Sequence, residues 1–261
     1  MHYMKRNIID IYEGILGDVD DVLASGDTTI AEMAVMDIIN TVYKLKAKTK
    51  LDIIPVKNDN GKYTVNATGD VAVKDRFIKT LVNDVFEWGT VDGNFSVWKC
   101  ANLTDLVGSP KKVLKSFNAN QCSKLKSLVG MPEMVGSFYC QSTSIKTLEG
   151  APKYVIGDFD CSYNYSLEST IGSPLSVGGD FRISNCGILK VLQDMPNEIG
   201  GDFSCRNCHA IKNIINVPKK IYGTCYVPAH IYDEAVEKLE PVCIQPRSFK
   251  PEDRRVIATN K

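Results

Sequence analysis

Two interleaved ladders run through the middle of the chain. Phe95, Phe117, Phe138, Phe159, Phe181 and Phe203 recur every 21 or 22 residues, with Cys225 at the same place in a seventh copy. Pro110, Pro132, Pro152, Pro174, Pro196 and Pro218 follow each phenylalanine by 14 or 15 residues. A fixed period of this size marks coils that stack on one another, because a single coil cannot bury its own apolar side. Within a copy, Phe159 and Cys161 alternate with Asp160 and Ser162, the pattern of a short strand with one buried face. Leucine or isoleucine at 103, 125, 145, 167, 189 and 211, and a second apolar residue at 106, 128, 148, 192 and 214, supply the opposite wall. Proline and glycine in the outer turn favour a sharp bend over a regular helix there.

The flanks carry other periods. Ile8, Ile11, Tyr12, Ile15, Leu16, Val19, Val22 and Leu23 form a helical stripe over Asn7 to Ala24. After the Ser25-Gly26-Asp27 break, Ile30, Met33, Ile38, Ile39 and Val42 continue it over Thr28 to Lys46. Leu51 to Val56 and Tyr63 to Val65, joined through Asn58-Asp59-Asn60-Gly61, read as a β-hairpin, and Gly69 to Thr90 as a degenerate first rung. A short helix is predicted over Ile231 to Leu239, and a charged, frayed tail from Pro246 to Lys261. The expected organisation is a cap over 1–68 (helical hairpin plus β-hairpin), about seven rungs over 69–227, and a C-terminal cap and tail over 228–261.

The clearest copy reads Gly157-Asp158-Phe159-Asp160-Cys161-Ser162-Tyr163-Asn164, then Leu167, Gly172, Pro174 and Val177. Read from the valine of one copy into the next, it resembles the leucine-rich repeat, with an added glycine-containing step before the phenylalanine. The sixth position, Cys100, Cys122, Thr143, Asn164, Cys186 or Cys208, falls where that repeat family puts an asparagine or cysteine inside the turn. The resemblance covers about residues 91 to 227 and implies an α+β fold, a parallel-sheet leucine-rich-repeat-like solenoid with an N-terminal helical hairpin cap. The Gly-Asp-Phe-x-Cys and Leu-x-Gly-x-Pro phrases, and the opening Asn-Ile-Ile-Asp-Ile-Tyr-Glu-Gly-Ile-Leu, also resemble uncharacterised proteins of large tailed bacteriophages.

Charge changes the picture only by exclusion. The 31 basic and 31 acidic residues cancel, so the overall positive field of most nucleic-acid and anionic-membrane binders is missing, although a local patch is compatible with the sequence. Apolar runs such as Ile53 to Val56 are too short to span a bilayer, and the opening residues lack a signal-peptide core, so a cytoplasmic protein is expected. In that compartment the nine cysteines are expected to be reduced and buried rather than paired.

Candidate chemistry is sparse. Cys205-Arg206-Asn207-Cys208-His209 matches the C-x-x-C-H haem-attachment pattern, but each cysteine already stands in a repeat column, and neither haem nor zinc is expected. Gly17-Asp18-Val19-Asp20-Asp21-Val22-Leu23 resembles the aspartate loop of haloacid-dehalogenase-type phosphatases, which must follow a buried strand; here helical periodicity precedes it. Histidines are only His2, His209 and His230, leaving little for a Ser/His/Asp or Cys/His set. No catalytic residue, metal or cofactor is assigned.

In proteins with such repeats the outward side chains of the strand face commonly form the ligand surface. The residues before each phenylalanine are Asn94, Ser116, Ser137, Asp158, Asp180 and Asp202. Aromatic and arginine side chains dominate binding energy, which together with the central carboxylate selects Trp98, Tyr139, Asp160, Tyr163, Arg182 and Arg206 as partner-binding residues. The stacked Asp158, Asp180 and Asp202 would repel one another unless a cation or basic partner relieves them, or unless they bond backbone N–H groups of their own Gly-Asp turns. The expected function is non-catalytic protein binding, in the phage setting to a host or defence protein. A virion component is the alternative, and an enzyme would need chemistry in residues 1 to 68.

Overall fold

The computed structural model describes residues 28–54, 58–74, 76–243 and 249–251. They form a mostly parallel β-solenoid with few helices. The chain enters through α1 (Thr28–Val42), followed by β1 (Tyr43–Leu45), β2 (Lys50–Ile54), β3 (Tyr63–Thr68), β4 (Val71–Val73) and β5 (Phe86–Asp92). Helical periodicity predicts α1 as far as Lys46, but its last turn is replaced by β1. There the Tyr43 ring packs edge-on against Trp88, with centroids 5.2 Å apart, and an aromatic residue favours the pleated surface. The first helix of the expected hairpin, and the aspartate-rich motif within it, lie outside the described residues.

Two lines of parallel strands run the length of the solenoid. One follows the phenylalanines: Phe95 is opposite Phe117, which is opposite Phe138, and so on through Phe159, Phe181 and Phe203 to Cys225. The other follows the valines, Val91, Val113, Val135, Val155, Val177, Ile199 and Ile221. A short third pairing joins Val191–Leu192 to Asn213–Ile214. The repeat reading places one strand in each rung, on the phenylalanine side. The strand at the valines is additional and creates a second outward face.

The interior is a set of columns. The phenylalanine rings are fully buried and lie 5.3–6.0 Å apart from rung to rung. Such burial stabilises by about 1.5–3 kcal/mol per ring. Four members of the sixth-position column share one function carried by different residues. Each side chain donates to the carbonyl two residues beyond the phenylalanine of the preceding rung: Cys122 to Val97 (3.0 Å), Asn164 to Cys140 (3.0 Å), Cys186 to Cys161 (3.6 Å) and Cys208 to Ile183 (3.1 Å). Asn164 also donates to Cys161 O, while its Oδ1 accepts from the Thr143 amide and hydroxyl. The expectation of reduced thiols fails at one pair. Cys140 and Cys161 occupy the same column on adjacent rungs, with Cα atoms 4.9 Å apart, and form a disulfide. Ladder spacing of ~4.8 Å brings any two like-placed cysteines within bridging range.

The Gly-Asp-Phe phrase is explained by the corner between the valine and phenylalanine strands. Three consecutive amides there, Gly178, Gly179 and Asp180, all face the preceding rung. The first two bond Val155 O and Gly157 O. The third has no backbone acceptor left, because the Asp158 carbonyl is already turned to Phe138 N. The Asp158 side chain accepts it instead, Oδ1 to N 2.9 Å. One rung on, Asp180 Oδ1 accepts the Asp202 amide, and Asp202 Oδ1 the Thr224 amide. Asp70 and Asn94 do the same for Asn94 and Ser116. The bonds therefore run between rungs and not within each Gly-Asp turn. Glycine precedes the bonded amide of Asp180, Asp202 and Thr224 because a Cβ at Gly179, Gly201 or Gly223 would collide with the carboxylate of the rung before.

At the C-terminal end α2 (Tyr232–Leu239) substitutes for a missing rung. Glu234 accepts from the Ile214 amide and Lys238 donates to the Ile214 carbonyl, so the open edge of the third pairing is closed by side chains.

Two substitutions test these ladders. Asp202→Ala, which strands the Thr224 amide, should cost about 1–3 kcal/mol in urea denaturation, with Asp202→Asn near wild type. Asn164→Ala should cost at least as much, and Asn164→Cys should recover part of the loss by donating to Cys140 O as its neighbours do.

Candidate protein-binding faces

The outward side of the phenylalanine strands holds all six residues selected from the sequence, but they are not equivalent. Tyr139, Asp160 and Arg182 are in register on three successive strands. Asp160 is only 7% exposed, and both oxygens are engaged, Oδ2 by Gln141 Nε2 and Oδ1 by the Ser162 amide. Arg182 is clamped between Asp158 and Asp180, which answers the repulsion expected in that column with a residue of the same chain. These two are part of the scaffold.

The others keep open surface. Trp98 is 38% exposed and lies between two cations, with Lys99 Nζ 4.3 Å and Arg76 Cζ 5.0 Å from its ring. Arg76 also donates to the Trp98 carbonyl. Arg206 stacks 3.9 Å over the Tyr226 ring, an arrangement that presents a guanidinium already ordered. Tyr139 borders a shallow groove of about 370 Å³ with Lys46, Asp70 and Asn118. The Asp70 carboxyl is held below its ordinary range by the Asn94 amide it accepts and then by Lys46. Trp98 and Arg206 stand five rungs apart, roughly 24 Å at ~4.8 Å per strand, so the face offers separated anchors and not one cluster.

Tyr163 is 46% exposed and has a left-handed backbone, φ 61°. The same turn position in other rungs is also left-handed, at Lys99, Gln121, Ser142, Asn185 and Asn207. Asparagine adopts this region readily, whereas a bulky side chain there is strained. A second left-handed column runs through Gly108, Gly130, Gly150 and Gly172 and is completed by Asp194 and Asn216, the small polar residues that replace glycine at least cost.

A second exposed surface, not singled out from the sequence, lies on the outward side of the valine strands. Leu114, Met134, Tyr154, Ile156, Leu175 and Tyr222 are all exposed, Ile156 by 65%. Met134 is opposite Tyr154, and Ile156 and Tyr222 bound a groove of about 330 Å³ in which Gly178 and Gly200 leave the backbone uncovered. The signal was available: Leu114, Met134, Tyr154 and Ile156 each adjoin a ladder valine, so alternation about that valine turns them outward. Exposed apolar side chains gathered at a groove are a common feature of interaction surfaces.

The haem-like motif is dismantled by the fold. Cys205 and Cys208 are fully buried on the inner side while His209 is exposed. Among the described residues no group of three or more His, Cys, Asp or Glu side chains is placed to hold a metal ion, and no helix is long and apolar enough to cross a membrane.

Tyr163→Asn separates stability from recognition. It should raise stability by about 0.5–1 kcal/mol by relieving the left-handed tyrosine, seen as a higher urea midpoint. If the side chain serves binding, the more stable variant binds its partner less well.

No family model, curated protein or solved structure matches the chain.

Proposed function

We propose that the chain is a non-catalytic protein-binding solenoid whose main contact is the apolar stripe on the valine side. The observation that carries this reading is the set Leu114, Met134, Tyr154, Ile156, Leu175 and Tyr222, large side chains held out to solvent on the valine strands or directly beside them. Leaving such a surface exposed is unfavourable for an isolated chain and favourable for one that covers it with a partner. Trp98, Tyr139, Tyr163 and Arg206 on the phenylalanine face supply a second set of anchors. Asp160 and Arg182 are withdrawn from that set, because their polar atoms are already bonded within the solenoid.

The proposed setting is a phage infection, with a host protein as the partner; this rests on the repeat wording and the opening segment alone. The rungs support the binding role mechanically. The phenylalanine strands from Phe117 to Phe203 are each paired on both sides, so binding energy is not spent on ordering that part of the surface.

Affinity purification of the tagged protein from its native cells, followed by mass spectrometry, tests this. One host protein is expected in near-equal amount, reduced at least tenfold by Ile156→Glu with Leu175→Glu. Recovery of capsid or tail proteins would make the chain a virion component instead. Loss only on Trp98→Ala with Arg206→Glu would move the contact to the phenylalanine face. A complex insensitive to both pairs would end the surface-binding reading.

A further inference from the structure

The sulfur atoms of Cys225 and Cys243 lie 3.2 Å apart. Cys225 heads the last rung and is fully buried, while Cys243 is half-buried and closes the C-terminal cap. The Cys243 amide bonds the carbonyls of Leu239 and Glu240, and its backbone bridges in parallel to Ile221. The two thiols thus belong to different units, the solenoid and its lid, and meet at their junction. Cys186 and Cys208 are also neighbours, but both are fully buried, so an oxidant reaches only the terminal pair.

We propose that Cys225 and Cys243 are a redox modification site, a dithiol that an oxidant of the glutathione-disulfide class converts to a disulfide, fastening the cap to the last rung. The Cys243 thiolate attacks the oxidant, forming a mixed disulfide and expelling one glutathione thiolate. Cys225 then loses its proton and attacks the Cys243 sulfur, expelling the second. Two protein thiols and one oxidant disulfide become one protein disulfide and two glutathione thiols, with two electrons passing to the oxidant. The order follows from the surroundings. The adjoining Cys243 sulfur, and then burial, push the Cys225 thiol well above its ordinary range, so the more exposed Cys243 acts first.

The cap is otherwise held by its buried Ile231, Ala235 and Leu239, by the Cys243–Ile221 backbone bridge, by Glu234 and Lys238 on the Ile214 backbone and His230 on the Ile211 carbonyl, and beyond it Phe249–Pro251 pairs with Cys225–Val227. A cross-link between residues 225 and 243 removes most of the freedom gained when the cap lifts, which should lower its opening equilibrium on the order of 100-fold. This inference concerns the cap alone and is independent of the binding reading.

The test uses the full chain in glutathione buffers of graded oxidised-to-reduced ratio, trapped with iodoacetamide and analysed by mass spectrometry. A cross-linked peptide containing Cys225 and Cys243 is expected to grow with the oxidised fraction. In that form the amides of 232–239 should exchange on the order of 100-fold more slowly. Cys243→Ser should abolish both effects, while its circular dichroism and the Cys140–Cys161 link stay unchanged. The proposal is overturned if both cysteines alkylate at every ratio, if Cys243 stops at the glutathione adduct, or if the cross-linked cap exchanges as fast as the open one.

Discussion

The solenoid depends on one backbone problem solved in the same way in most of its rungs. Where the valine strand turns into the phenylalanine strand, three successive amides face the same neighbour, and only two carbonyls are available to them. A buried or half-buried N–H without a partner costs about 1–3 kcal/mol, and the cost would recur in every copy. A short side-chain acceptor on the preceding rung removes it, and glycine gives that acceptor room. Coil geometry, rung spacing and the stacking of the phenylalanine rings all presuppose this corner.

The same solution governs what the outer surface can offer. Asp158, Asp180, Asp202 and Asp160 sit on an outward face, yet each spends at least one oxygen on a backbone amide. Arg182 spends its guanidinium on two of them. The side chains proposed for recognition are ones without that duty, aromatic and aliphatic side chains and Arg206. The valine line makes less use of such acceptors: the Asn66 side chain takes the Thr90 amide beside Val91, and from Val113 onward backbone pairing joins the strands.

The ends follow a different logic from the middle. A rung in the interior is completed by its neighbours, whereas an end must be completed by something that is not a rung. At the beginning, β1 and β2 pair antiparallel with β4 and β3 and so stop the stacking in register. At the far end α2 supplies a carboxylate and an ammonium to one residue's amide and carbonyl. The last phenylalanine-line strand, Cys225–Val227, is covered separately by a parallel strand at Phe249–Pro251, so the far end is closed by a helix on one line and a strand on another.

By itself the sequence determined the period, the register of the phenylalanine and proline columns, the buried sixth-position column and the strand at each phenylalanine. These are local regularities repeated until chance is excluded. It also placed the candidate anchors Trp98, Tyr139, Tyr163 and Arg206 on one outward face. Tertiary structure alone decided which polar residues were consumed by the scaffold, because the Asp158 partner is an amide 22 positions away. It decided the second strand at the valines, the disulfide of Cys140 with Cys161, the contact between the Cys225 and Cys243 thiols, and the left-handed turn beneath Tyr163. Each depends on the distance and direction between adjacent rungs, quantities that a linear pattern of residue types does not contain.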